Sequence, residues 1–302
     1  MSPPEQTQTP VWSNVTFDYS GRKVLVVGGT TGIGFGVAKA YREAGAEVAI
    51  TGQRPDVSDY DADYSGYRYF KLDITGHGDM KPVAEALPEL DILVNSAGVG
   101  WVGGEFGTHE YEPEIFEKAV RMHLTGPYRT IEACQAKLSA STLPGGGSVI
   151  SIASMASFFG IETVPGYGAA KAGLVQMTKT LSIHWGKQNL RVNAVAAGLT
   201  RSAMTAWFME DQEMTAPTLA RTPLDRIGDP VLTALTRLVQ SVTGAESAAV
   251  HVFDAEYQRR IAAVGAPLVD HLASDSMCRL VVEDGTRIVS SDATVEPRFA
   301  YS

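Results

Sequence analysis

The feature that most restricts the fold of this chain lies near its start. An apolar run, Lys23-Val-Leu-Val-Val27, breaks into Gly28-Gly29-Thr30-Thr31-Gly32-Ile33-Gly34 and then into a helical pattern. Val24 to Val27 leave no polar face, as expected of a strand covered on both sides. From there Ile33, Val37, Ala40, Tyr41 and Ala44 recur at helical spacing and define one apolar face. Strand, glycine turn and helix form the first part of a strand-helix-strand crossover, and a second apolar strand follows at 47–51.

The alternation continues through the chain. Strands are predicted at 23–28, 47–51, 67–72, 91–95, 148–153 and 191–196, with a long helix from Glu112 to Leu138 and another carrying Tyr167 and Lys171. Short apolar strands separated by amphipathic helices predict an α/β chain: a Rossmann-like, doubly wound parallel sheet with helices on both faces. With 302 residues and 44% apolar composition, the chain has material for one large domain, or one domain and part of a second. Residues 1–16 read as a flexible tail, without the basic start and apolar core of a secretory signal.

Charge narrows the partners. A formal net charge of −9 speaks against nucleic acid, whose binding draws on clustered Lys and Arg. No apolar run approaches the ~18 residues of a membrane span. Cys134 and Cys278 are too few and too far apart for a disulfide framework or a local zinc site, so no metal is expected. A cytoplasmic protein acting on a small molecule is the expectation.

A glycine turn between a buried strand and a helix suits a dinucleotide. Glycines let the backbone approach a pyrophosphate, and the helix N-terminus favours its charge. A glycine cluster alone is weak evidence, since tight turns also use it; the strands on either side carry the argument. An acidic residue about 20 positions on would hold the ribose hydroxyls and repel a 2′-phosphate. Here the second strand runs into Gly52-Gln53-Arg54, with no acid and a cation close by.

The second constellation is Ser154 after the fifth strand, with Tyr167 and Lys171 at i and i+4 on one helical face. A Tyr-Lys pair is common by chance. Behind a dinucleotide turn it suits acid/base work, because a nearby cation favours phenolate and brings a phenol of ordinary pKa ~10 towards working pH.

These motifs resemble the short-chain dehydrogenase/reductase family over about residues 17–230. Gly28, Gly32 and Gly34 match its Thr-Gly-x-x-x-Gly-x-Gly turn, with Val27 in place of the threonine. The resemblance implies a cofactor site formed by Gly28, Thr30, Thr31, Gly32, Ile33, Gly34, Arg54, Asp73, Ile74, Asn95, Ala97, Gly98, Tyr167, Lys171, Gly198, Leu199 and Ser202. Gly52 stands where the family's NAD-preferring members carry Asp, so NADP(H) is expected over NAD(H). Ser154, Tyr167 and Lys171 match the family's catalytic residues: Ser154 polarises the substrate oxygen, Tyr167 moves the proton, and Lys171 lowers the tyrosine pKa and binds the nicotinamide ribose. His123, in Met122-His-Leu-Thr-Gly126, stands where the family carries an Asn that bends the helix and holds a relay water. Histidine can also relay a proton or simply pack. Ala197-Gly198-Leu199-Thr200-Arg201-Ser202 is similar to the family's Pro-Gly segment, without the proline.

Met204, Trp207, Phe208, Met209 and Met214, with Phe158 and Phe159, could line an apolar pocket or fill the core beneath a lid helix. The expected substrate is a hydrophobic carbonyl or alcohol, and the expected assembly a homodimer or homotetramer. The alternative is a catalytically impaired NADP(H)-binding regulator.

Beyond residue 230 the pattern changes. A helix at 232–242, a hairpin of strands 247–253 and 260–264, and a strand at 288–290 are predicted as an α+β extension. Residues 231–302 resemble the N-terminal half of a GAF domain, through Ser276-Met-Cys278 and the stretch from Asp292 to Phe299. Residues 232–242 and 250–253 could instead supply the family's last helix and strand.

Overall fold

Six strands of the computed structural model lie side by side and parallel: β1 (Lys23–Val27), β2 (Glu47–Gly52), β3 (Arg68–Lys71), β4 (Ile92–Asn95), β5 (Gly147–Ser154) and β6 (Leu190–Ala197). The structure describes residues 18–76, 80–100, 109–202, 204–220, 227–228, 248–253, 257–264 and 271–272. The order across the sheet is β3-β2-β1-β4-β5-β6. The order therefore reverses between β1 and β4, where a crevice opens at the carboxyl ends of the strands.

The apolar runs form strands because both faces are covered. In β1, Val24 and Val26 enter a cluster with Ile50, Ile92, Val94 and Ile150. Leu25 and Val27 point the other way, into a cluster with Leu93 and Val149. Helix α1 (Gly32–Glu43) closes the first face with Val37, Ala38 and Tyr41. Helices α2 (Met80–Ala86) and α4 (Gly126–Ser139) close the second, with Met80, Val83, Ile131, Cys134 and Leu138. Each such aliphatic side chain contributes about 1.5–3 kcal/mol on burial.

The long helix predicted from Glu112 to Leu138 is built in three parts: α3 (Pro113–Val120), a π-helical turn (Arg121–Thr125) and α4. The Gly126 N–H donates to the Arg121 carbonyl, the i to i+5 bond of that wide turn. Helix α5 (Pro165–Gly186) carries Tyr167 and Lys171. Two short helices, α6 (Ala206–Met209) and α7 (Gln212–Leu219), follow β6. No described helix is long and apolar enough to cross a membrane.

The expected C-terminal hairpin forms, with shifted bounds. Strands β7 (Ala248–Phe253) and β8 (Tyr257–Val264) pair antiparallel, with a register irregularity between Val250 and His251, and β9 (His271–Leu272) pairs with β8. These three strands make a sheet of their own. Residues 250–253 thus pair with β8 and not with the six-stranded sheet, while β8 itself lies against β6. The helix expected at 232–242, the strand at 288–290 and the GAF-like stretches at 276–278 and 292–299 lie outside the described residues.

Candidate active site

The glycine turn is held from two sides. The Gly28 N–H donates to Thr51 Oγ1 (3.1 Å) and the Gly29 N–H to the Thr51 carbonyl (3.1 Å), tying the turn to β2. Gly28 has φ +76°, and a Cβ there would stand 2.5 Å from the Ala97 Cα. A Cβ on Gly34 would stand 2.0 Å from the Gly28 carbonyl oxygen, so the turn closes only with glycine at that position. Thr31, the N-cap of α1, makes no side-chain cap and the first turn holds no acid. The N–H groups of Gly32, Ile33 and Gly34 precede the first intrahelical bond, from the Phe35 N–H to the Thr31 carbonyl (3.1 Å), and such a helix start fits a dinucleotide phosphate.

Other expected cofactor residues gather at the same end of the sheet. Ser202 packs against the turn, since a Cβ on Gly32 would come within 2.9 Å of the Ser202 Cβ. The Ser202 loop is pinned by Gly228, which donates to the Leu199 carbonyl (2.8 Å) and accepts from the Arg201 N–H (3.0 Å). Gly198 is exposed, and Asp73 is exposed and occupied by its own turn, accepting from the Thr75 N–H (2.9 Å) and hydroxyl (2.7 Å). Two expected contacts turn elsewhere. The Asn95 side chain is buried and committed to α4, accepting from the Thr130 hydroxyl (2.6 Å) and donating to the Pro127 carbonyl (3.5 Å). Ile74 is buried and packs against Gly126. At both positions an inward-facing register and the close approach of α4 leave only the backbone near the crevice.

At the end of β2, Tyr60 fills the space that Gly52 leaves open. A Cβ on Gly52 would stand 2.4 Å from the Tyr60 hydroxyl oxygen, so an Asp side chain could not enter without displacing the ring. The Arg54 N–H donates to the same hydroxyl (3.0 Å), and the guanidinium lies over the Tyr60 ring, 4.8 Å from its centroid, while donating to the Asp59 carbonyl. The Thr30 carbonyl accepts from Tyr64 (2.5 Å), which fixes the other side of this corner.

Ser154, Tyr167 and Lys171 come together at the ends of β5 and α5. Ser154 caps a short 3-10 turn (Met155–Ser157), its hydroxyl accepting from the Ala156 N–H (3.1 Å), and it faces the Tyr167 phenol closely enough to lower its pKa. Lys171 is buried, donates to the Ile152 carbonyl and holds its ammonium 5.6 Å from the Tyr167 ring centroid. Burial pushes the Tyr167 phenol above its ordinary 10, the Ser154 hydroxyl pulls it down, and the Glu110 charge pushes it up again. Burial is the largest of these causes, so without the cofactor's charge the phenol is held in its protonated form.

His123 sits in the π-helical turn, fully buried, with its ring edge-on to Tyr167 at 4.8 Å between centroids. A carbonyl only accepts, so the 2.9 Å contact to Val99 places the proton on Nε2. Burial, and then the Lys171 charge, drive the imidazole from its ordinary 6.5 down to about 3. It is neutral at working pH. Its bulk is admitted by Gly98, where a Cβ would stand 2.9 Å from His123 Cε1 and 3.2 Å from the Met204 methyl.

Three contributors to this site escape a local sequence pattern: Thr51, Tyr60 and Glu110. Glu110 is 1% exposed and accepts the Tyr167 N–H at 2.7 Å. Of the apolar candidates, Phe158 and Phe159 are exposed beyond Ser154, with Ile161 beside them in the chain. Met204, Phe208 and Met209 are half-buried, and the Trp207 and Met214 side chains lie outside the described set.

A protein-family model described as enoyl-(acyl carrier protein) reductase matches residues 27–250. A 3alpha-hydroxysteroid dehydrogenase of Mediterraneibacter gnavus is 36% identical over 218 residues, covering 68% of this chain and 84% of the relative. A 2-dehydro-3-deoxy-D-gluconate 5-dehydrogenase of Dickeya dadantii is 31% identical, covering 71% of this chain and 86% of the relative. The chain belongs to the short-chain dehydrogenase/reductase family. The RhlG/NADP active-site complex of Pseudomonas aeruginosa superposes with a TM-score of 0.65 at 27% identity, covering 74% of this chain and 91% of that one. This short-chain dehydrogenase/reductase is thus an NAD(P)-dependent oxidoreductase of the class that acts on CH–OH groups.

Proposed function

We propose that this short-chain dehydrogenase/reductase interconverts a hydrophobic carbonyl compound and its secondary alcohol with NADP(H), using Tyr167 as general acid and base. The observation that carries this reading is the convergence of Ser154 at the end of β5 with Tyr167 and the buried Lys171, whose ammonium lies 5.6 Å from the Tyr167 ring centroid. The bound nicotinamide supplies or takes up the hydride. Ser154 donates to the substrate oxygen and orients it, Tyr167 delivers the proton in reduction and takes it in oxidation, and Lys171 favours the phenolate while reaching the ribose. Protonation of a developing alkoxide by a positioned acid is worth roughly 10²–10⁴-fold in rate.

Arg54 and Gly52 support NADP(H) over NAD(H). Tyr60 occupies the room an Asp would need, and Arg54 presents a cation at the end of β2. An apolar substrate fits the exposed Phe158, Phe159 and Ile161 next to Ser154. A homodimer or homotetramer through the long helices fits the exposure of Phe116, Tyr128 and Ile183, and light scattering of the purified protein reads its mass.

The test is NADPH oxidation against a panel of aliphatic, cyclic and steroidal ketones, with Tyr167→Phe as control. Turnover abolished in that variant is expected; wild-type protein that binds NADPH yet reduces none of the panel favours the second reading, a redox-reporting regulator. That alternative draws on one observation, the neutral, enclosed His123 where the family carries Asn.

A further inference from the structure

Helix α5 reaches Tyr167 within its first turn, so the position of the phenol depends on how that turn is secured. Val164, the N-cap, offers no side-chain cap, and its own N–H goes to the Ile161 carbonyl (3.3 Å). Pro165 has no N–H. Gly168 makes the first intrahelical bond, to the Val164 carbonyl (2.9 Å). The Tyr167 N–H goes to the Glu110 carboxylate at 2.7 Å, and the Gly166 backbone acts on the same carboxylate, lowering its pKa. We propose that Glu110 is a positioning residue for the reaction: a buried carboxylate, supplied from the segment before α3, that caps the first turn of α5 and thereby fixes Tyr167.

The surrounding contacts support a built arrangement. Tyr111, the next residue, donates to the Glu162 carbonyl (2.9 Å) and ties the same segment to the approach of α5. Gly166 lets α3 come close, since a Cβ there would stand 3.0 Å from the Ala119 Cβ and 3.1 Å from the Phe116 backbone. The chain from Glu110 through His123 therefore meets Tyr167 twice, at its backbone through the carboxylate and at its ring through the imidazole. A carboxylate at a helix N-terminus is favoured by the helix dipole, which offsets part of the cost of burying it.

Charge gives this role a signature beyond structure. The elements around Glu110 carry Tyr167, Lys171, Lys179 and His184 on α5, Glu114, Glu117 and Lys118 on α3, and Arg121 and the neutral His123 in the π-helical turn, with the exposed His109, Tyr111, Glu112 and Glu162 in the adjoining segments. Glu110 has no cation among the causes acting on it; burial raises its carboxyl and the Tyr167 and Gly166 backbone lowers it. Its negative charge raises the Tyr167 phenol. Removing that charge while keeping an acceptor must lower the phenol.

The inference rests on Tyr167 being the acid and base, and its test separates the two. Glu110→Gln keeps an amide oxygen for the Tyr167 N–H and removes the charge; Glu110→Ala removes both. Thermal melts report the cap. The Tyr167 titration is followed by ultraviolet difference absorbance, with Tyr167→Phe as the blank for the chain's other tyrosines, and the pH profile of kcat/KM is recorded for whichever panel ketone is turned over. Glu110→Gln is expected to melt near wild type and to shift the Tyr167 midpoint and the alkaline limb of the profile downward. Glu110→Ala should lose on the order of 5 °C in Tm, as the Tyr167 N–H loses its buried acceptor. A Glu110→Gln midpoint and profile identical to wild type would reduce Glu110 to a structural cap and overturn the proposal, as would a Glu110→Ala protein with unchanged Tm and kinetics. A shifted midpoint in a protein that reduces no ketone would sustain the role of Glu110 and sink the acid/base reading instead.

Discussion

Acidification tests the enclosure of His123. The imidazole is fully buried, bonded to Val99 and held near the Lys171 charge, and its folded pKa of about 3 lies below the ordinary 6.5. The unfolded chain therefore binds the proton first. The stability that depends on a neutral His123 is present above pH 6.5 and is lost as pH falls towards about 3. Each unit of pH across that window is worth about 1.4 kcal/mol. The loss is thus about 2 kcal/mol at about pH 5 and approaches ~5 kcal/mol at the bottom of the window, a large part of the ~5–15 kcal/mol that holds a typical domain folded. Urea unfolding of wild type and His123→Asn at about pH 7.5 and about pH 5 isolates the group, because carboxylate effects common to both proteins cancel in the double difference. The variant should gain about 2 kcal/mol on wild type when the pH is lowered. A double difference under about 0.5 kcal/mol would show that the folded protein accepts the proton without penalty and would refute the buried, neutral assignment.

Three further outcomes follow from the site. Tyr167→Phe should lower kcat by roughly 10²-fold or more while NADPH still binds, measured by cofactor fluorescence; equal loss of binding would place the tyrosine's role in the cofactor site. Arg54→Ala should weaken NADPH by on the order of tenfold, about 1.4 kcal/mol, and leave NADH unchanged; parallel losses for both nucleotides, or wild-type affinity no better for NADPH, would remove the phosphate role of Arg54. Gly34→Ala drives a Cβ into the Gly28 carbonyl oxygen, and should cost about 1–3 kcal/mol in urea unfolding and abolish cofactor binding; wild-type affinity would mean the turn has slack that its 2.0 Å clearance denies.

The sheet was legible because its strands are buried on both faces, so runs such as Lys23–Val27 and Ile92–Asn95 carry almost no polar residue to blur them. The glycine turn and the Ser154, Tyr167 and Lys171 set were legible because each element of the site lies at the end of one of those strands or on the helix that follows. Glu110 was not. Its partner lies 57 residues away, and a carboxylate borrowed from a distant segment leaves no mark beside the helix it caps. Tyr60 escaped for the same reason: nothing in Gly52-Gln53-Arg54 announces an aromatic ring folding back from outside β2. Asn95 shows what a motif position leaves out, since its side chain is spent on Thr130 and Pro127. The wide turn at His123 was expected only as a bend, because one loosened hydrogen bond changes neither composition nor average periodicity.

That wide turn also sets the phase of the molecule. A helix with one i to i+5 bond behaves as if a single residue had been inserted, so the faces before and after it are rotated relative to each other. Upstream, Ala119 and Phe116 meet Gly166 on α5; downstream, Gly126, Ile131 and Cys134 meet the sheet and its neighbours. Deleting one residue between Arg121 and Thr125 would restore a regular helix and misalign one half of it, whereas replacing a side chain there would leave both halves in register. The length of this segment is therefore under tighter constraint than its chemistry, and a histidine can stand in it where an asparagine is usual.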